Sequence, residues 1–291
     1  MAFQISPGVN VSEVDLTTVI PSVQTTAGAF AGAFVWGPAN LRTTVDSEIT
    51  LVNKFGKPDN NTATSFFTAA SYLAYGNNLK VVRSVGANCF NAKANTAAAG
   101  VQIPNEVYNA YVNTVDNNNA LGSFVARYPG ALGNSLTISI VDAASTFATW
   151  NVNGVLIAPL FNGAPGTSSQ ATQAGAANDE VHIAVVDAGG LFTGVKNTVL
   201  ETFSYLSKAT DATDSLGNSN YYKTKIFNES KYIYAADHAD YSNTRLSWGQ
   251  TFAAGGSFAT LGNTATKQVT TALTGGTDEV PTDGQTISGF N

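Results

Sequence analysis

What this 291-residue chain has least of already narrows its chemistry. It holds one cysteine, Cys89, so no internal disulfide can form and a cysteine-based zinc site is excluded. Its two histidines, His182 and His238, are too few for a histidine-rich metal site, and neither sits in a His-Glu-x-x-His spacing. Charged residues are 12% of the chain, about half the roughly 25% of an average soluble domain. They divide as 14 Lys+Arg against 20 Asp+Glu, a net charge of −6, with no basic cluster. That balance repels phosphate and argues against direct nucleic-acid binding. Long apolar runs are missing too. The stretch Ala27 to Trp36 is the longest, and a membrane span needs about 20 residues. Residues 1–8 have neither the basic start nor the apolar stretch of a secretory signal.

What is present is apolar and neutral. The hydrophobic fraction of 44% is ordinary, so Thr, Asn, Ser, Gly and Ala stand where charge would be. That is too much apolar surface for a disordered chain, and a neutral polar surface suits a protein that packs against copies of itself.

Residues 1–22 read as an extended arm, with Ile5, Val9 and Val11 on alternating positions around Pro7-Gly8. Such a segment is too short to fold alone and is expected on a sheet edge, its own or a neighbour's. Residues 27–85 read as a β-α-α-β unit. A small-and-aromatic strand from Ala27 to Trp36 comes first, closed by Gly37-Pro38. A helix capped by Ser47 follows, with Leu51, Val52 and Phe55 inward and Gly56 and Pro58 stopping it. A second helix is predicted from Ala63 to Tyr75, with Phe66, Phe67, Ala70, Leu73 and Ala74 at helical spacing and Gly76 at its end. Leu79 to Val85 is then a strand parallel to the first.

Further on, Ala126 to Gly133 is turn-rich and leads into an alternating strand, Leu136 to Asp142. Strands are also predicted over Gly154–Leu160, Val181–Asp187, Val199–Leu206 and Ile226–Ala235, separated by Gly/Ser/Thr/Asn segments at 162–179 and 208–220. The overall expectation is α+β and multi-domain, with a β-rich second part.

No catalytic constellation stands out. No Gly-x-Ser-x-Gly elbow occurs. Gly189 and Gly194 have phosphate-loop spacing, but Val195 stands where lysine belongs, so residues 187–198 read as a hairpin loop. His182 alternates within its strand and is expected to point out of the sheet. Tyr221, Tyr222, Tyr232 and Tyr234 read as packed aromatics, not base-stacking platforms, for want of cations among them. Trp150 and Trp248 are the residues a carbohydrate-binding groove would expose, and core packing is the expectation for both.

Several stretches together resemble the contractile tail sheath proteins of myovirus-type, T4-like bacteriophages. They are Ser6–Glu13, Gly32–Pro38, Leu51–Pro58, Leu73–Arg83, Ala126–Ser135 and Leu273–Gly276. The resemblance implies a virion protein, assembled in the host cytoplasm, with no enzymatic activity and no cofactor. It implies stacked six-fold rings of this subunit around a tail tube, which contract to drive the tube through the host envelope. Its partners would be copies of itself, the tube protein, and baseplate and tail terminator proteins, with no direct nucleic acid and no membrane insertion. The arm 1–22 would join neighbouring subunits through Pro7, Gly8, Val9, Val11 and Glu13. Residues 23–86 would be the first part of a discontinuous α/β inner domain, 87–276 an inserted β-rich outer domain, and 277–291 the return into the inner domain. Between Arg83 and Tyr128 the chain is too short for the additional protruding domain of larger sheaths. The chain reads as cut short of the rest of its inner domain, so residues 1–86 are expected to be poorly packed. A bacterial contractile machine shares these mechanics. A receptor- or carbohydrate-binding module of a baseplate or tail fibre is the competing reading.

Overall fold

The computed structural model describes residues 27–94, 99–107, 121–236, 248–252, 255–261 and 268–279. Its first unit runs β1 (Gly28–Gly32), β2 (Thr43–Val45), α1 (Glu48–Phe55), α2 (Ala63–Leu73) and β3 (Leu79–Arg83). β1 and β3 pair in parallel from Gly28 opposite Leu79 to Gly32 opposite Arg83, and β2 pairs antiparallel on the other side of β3. α1 starts where Ser47 accepts the Thr50 N–H and stops at Gly56, whose φ of 79° suits a residue without a side chain. Leu51 and Phe55 of α1, Phe66 and Ala69 of α2, and Leu79 and Val81 of β3 close one core with Phe34 and Val45.

Three expectations fail in this unit. The predicted first strand keeps ladder geometry only to Gly32, because the chain then bends away to carry Phe34 and Trp36 into two different cores. Residues 27–86 are not poorly packed: the unit has a core of its own, with Leu51, Phe55 and Val81 fully buried. Phe67, expected inward, is 58% exposed, as α2 turns Phe66 and Ala69 to the core instead.

The second region follows as β4 (Phe124–Ala126), a 3-10 turn at Ala131–Ser135, β5 (Leu136–Val141), α3 (Ala144–Phe147), β6 (Asn151–Val152) and β7 (Val155–Leu156). It continues through α4 (Ser169–Gln173), β8 (Ala176–Ala177), β9 (Glu180–Asp187), β10 (Thr198–Ser207), α5 (Tyr222–Glu229) and β11 (Ile233–Ala235). β12 (Gly256–Ser257) and β13 (Gln268–Ala272) complete it. Its centre is an antiparallel sheet in the order β10-β9-β5-β13. Leu136, Ile138 and Ile140 of β5 face one core, with Phe124, Tyr222 and Trp248. Val141 faces the other, with Trp150, Ile157, Phe161, Ala184 and Val186.

The predicted strands 136–142, 181–187 and 199–206 are present. The stretch 154–160 is instead a hairpin arm followed by a 3-10 turn at Ala158–Leu160, because Asn153 and Gly154 both take positive φ and reverse the chain. The stretch 226–235 is the end of α5 and then a short strand. Tyr222 and Ile226, four residues apart, turn one helical face inward, and that spacing outweighs the β-branched and aromatic content of the segment.

Candidate functional site

The family-like stretches lie far apart in sequence, and the fold brings most of them to one seam between the first unit and the second region. Arg83 is its pivot. It ends β3, is 1% exposed, and spends its guanidinium on carbonyls from both sides. Nε donates to Phe34 at 2.7 Å, Nη1 to Gly37 at 2.9 Å and Nη2 to Pro129 at 2.8 Å. Burial lowers its pKa to about 10, so it stays cationic at neutral pH. Trp36, beside it, sets its ring edge-on to Tyr128 at 5.4 Å and Phe192 at 5.0 Å.

The stretch after β13 straps this seam from outside. Gly276 donates its N–H to Asn134 Oδ1 and accepts from Asn134 Nδ2, both at 2.8 Å. A Cβ on Gly276 would stand 2.5 Å from the Gly130 carbonyl, so the approach admits no side chain there. Asp278 accepts the Ala131 N–H at 2.8 Å, and Lys93 and Thr274 exchange both backbone bonds. Arg127 works similarly on the far side: Nη1 donates to the Phe227 and Ser230 carbonyls, closing the C-terminus of α5.

A cleft of about 1120 Å³ runs along the seam, lined by Trp36, Lys57, Arg127, Tyr128, Phe192 and Asp278 among others. Its acids are already engaged. Glu106 accepts from the Tyr128 hydroxyl at 2.8 Å and from Arg127 at 3.3 Å, and Glu229 pairs with Lys225 at 3.0 Å. Burial, with Glu106 close by, pushes the Tyr128 phenol up to about 12, so it stays a neutral donor. The cleft therefore lies over a braced joint in which Glu106 and Glu229 already have partners.

The 187–198 segment is a hairpin loop joining β9 to β10. Asp187 organises it, accepting the N–H groups of Leu191, Phe192 and Thr193 together with the Ser135 and Thr193 hydroxyls. Those donors converge on a carboxylate inside the protein, so the loop is not a phosphate cradle. Sequence reasoning missed a second buried charge cluster: Lys208 Nζ lies 2.8 Å from Asp142 Oδ2, both fully buried, and 5.0 Å from the Trp248 ring centre. Lys208 opens a Gly/Ser/Thr/Asn-rich stretch that reads as solvated loop, and nothing in its spacing signals burial.

His182 is fully buried and set among aromatic rings, where the alternation had it pointing out of its sheet. A second layer covers that face. Trp150 is fully buried and Trp248 is 8% exposed, so neither offers a sugar-stacking platform. Tyr222 and Tyr234 are buried aromatics. Cys89 is buried, which pushes its thiol up. Among the described residues no group of three or more His, Cys, Asp or Glu is placed to hold a metal, and no helix is long and apolar enough to cross a membrane. The arm residues Pro7, Gly8, Val9, Val11 and Glu13, together with His238, lie outside the described residues.

No protein-family model matches the chain. Among solved structures it is similar to the sheath tail protein of Listeria innocua, at 15% identity and TM-score 0.38, covering 91% of this chain and 38% of that one. It is also similar to the sheath tail protein of Desulfitobacterium hafniense, at 10% identity and TM-score 0.40, covering 98% and 42%. Sequence relatives are closer. The tail sheath protein of Salmonella phage ViI is 32% identical over 194 residues, 66% of this chain and 27% of that protein. Those of Vibrio phage KVP40 and Enterobacteria phage T4 are 46% identical over 79 residues and 40% over 96. These two matches cover 27% and 33% of this chain, and 12% and 14% of the relatives. The chain thus spans well under two thirds of the length of the relatives it matches. By sequence it is a relative of the tail sheath proteins of T4 and other myovirus-type bacteriophages.

Proposed function

We propose that this chain serves in a structural subunit of a contractile tail sheath, stacked as six-fold rings around a tail tube and contracting to drive the tube through the host envelope. The observation that carries the reading is the seam. Four of the family-like stretches, at 32–38, 73–83, 126–135 and 273–276, meet around Arg83. They brace two regions into one body. A subunit that transmits force between neighbours needs such a joint, because a soft hinge would dissipate the rearrangement inside the subunit. Its low charge also reduces desolvation cost where copies pack closely. In this reading copies of the same chain, a tube protein, and baseplate and terminator proteins are the partners, and no cofactor is consumed. Residues 1–22 are the inter-subunit arm, 23–86 open the inner domain, 87–276 form the outer domain, and 277–291 return inward. That return is supported by the last residue of the first part, Gly86, whose N–H donates to the Glu279 carbonyl at 3.3 Å. Negative-stain electron microscopy of the protein from its native particle tests the assembly. Hollow tubes with six-fold end views are expected, and discrete globular particles would overturn it.

A further inference from the structure

The pairing of β9 with β10 breaks opposite His182. Phe203 pairs with Ile183 and Leu206 with Val181, so Ser204 and Tyr205 together face a single residue. Tyr205 takes a φ of 53°, a left-handed conformation costly for a side chain of its size. Its amide has left the ladder and donates instead to His182 Nδ1 at 3.0 Å, while its carbonyl accepts from Asn220 Nδ2 at 2.8 Å. The other ring nitrogen, Nε2, faces the Gly163 carbonyl at 2.8 Å. An amide N–H can only donate and a carbonyl can only accept, so the imidazole is fixed as the neutral Nε2–H tautomer.

The surroundings offer a protonated ring no anion. Phe161 stacks on the ring at 4.6 Å, Tyr205 meets it edge-on at 4.5 Å, and Phe147 at 5.7 Å. The layer covering this face, residues 143–178, contains no Asp, Glu, Lys or Arg. Glu180, two residues along the same strand, accepts the Gly166 N–H. At the far end of β9, Asp187 is saturated by its loop. On β5, Val141 pairs with His182, and the next residue, Asp142, is held by Lys208 at the end of β10. Glu201 of β10 is turned to Ser230 and Lys231, and Asp179 to Ser168 and Ser207.

We propose that His182 is an acid-sensitive latch on the β10 bulge: neutral, it holds Tyr205 in its strained conformation, and protonated at Nδ1 it releases that amide and loosens the layer packed on it. Protonation would set one N–H against another with no anion to answer it. Burial also pushes the imidazole below its ordinary 6.5. The folded chain therefore takes up this proton at lower pH than the unfolded chain does. Below about pH 6.5 the unfolded state binds more protons, so the contribution of His182 to stability falls as the pH falls.

Amide hydrogen exchange at Tyr205 and urea midpoints, followed from pH 7 to pH 5 for the chain and for His182→Gln, test this. Glutamine offers the same acceptor and donor without titrating. After correction for intrinsic rates, opening at Tyr205 should rise by about tenfold or more in the parent chain. The glutamine variant should lose less midpoint over the same range. Equal pH dependence in both, or an unchanged Tyr205 exchange in the parent chain, would overturn the proposal. If His182→Gln does not fold, the parent exchange measurement decides alone.

Discussion

The 28–83 unit and the four-stranded sheet bury their apolar residues by different means. In the unit, β3 is amphipathic: Leu79 and Val81 lie under α1 and α2, while Lys80 and Val82 stay half-buried on the other face. In the larger sheet all six residues of β5 are buried, and all but Glu180 of β9. A one-sided sheet leaves its polar residues at the surface, whereas a two-sided sheet must take them in and partner each one. His182, Asp187 and the Asp142–Lys208 pair are the result. Among its described residues the unit buries one charged side chain, Arg83, and buries it where the two regions meet. Interior charge is thus a local packing matter in the second region and the coupling device of the first.

The strongest way to break this comparison is Arg83→Met, which strips the donor from three buried carbonyls. A loss of about 3–6 kcal/mol is expected in urea denaturation, since each unsatisfied group costs about 1–3. If Arg83 couples the regions, the single transition should also split, with the unit melting first. A small loss in one cooperative transition would show that the regions are joined by other contacts. Lys208→Met comes next. It leaves Asp142 buried and unpaired, and should cost about 3–5 kcal/mol within the second region alone. Adding Asp142→Leu should recover part of that, because it removes the buried charge but leaves the Leu261 N–H and the Asn178 carbonyl without these partners. Ser47→Ala has the smallest effect. Removing the acceptor of the Thr50 N–H should cost about 1 kcal/mol in a thermal melt, confined to α1 and its unit.

The same difference explains what could be read ahead of the structure. The unit was legible because its signals are local. Ser47 and Gly56 bound α1, and apolar residues recur at helical spacing in both helices. β2 was missed, three residues long and drawn in by β3, and the first strand was carried past its end at Gly32. In the second region the strands 136–142 and 181–187 were visible as β-rich runs. Their burial on both faces was not, since it depends on distant residues such as Trp150 and Phe161 on one side and Tyr222, Trp248 and Leu261 on the other. β13 went unseen for a related reason: Gln268–Ala272 is a polar stretch that becomes a strand by pairing with β5, more than a hundred residues earlier. The seam was half legible. Its glycines and aromatics stand in the family-like stretches, but nothing local tells that Arg83 leaves solvent to reach the Pro129 carbonyl.

The sheath assignment is tested most directly on an intact particle. Gold-labelled antibodies against the described region, imaged on the native virion before contraction, should mark the tail along its whole length at a regular spacing. Label confined to the tail tip would contradict the account and place the chain in a baseplate or fibre instead.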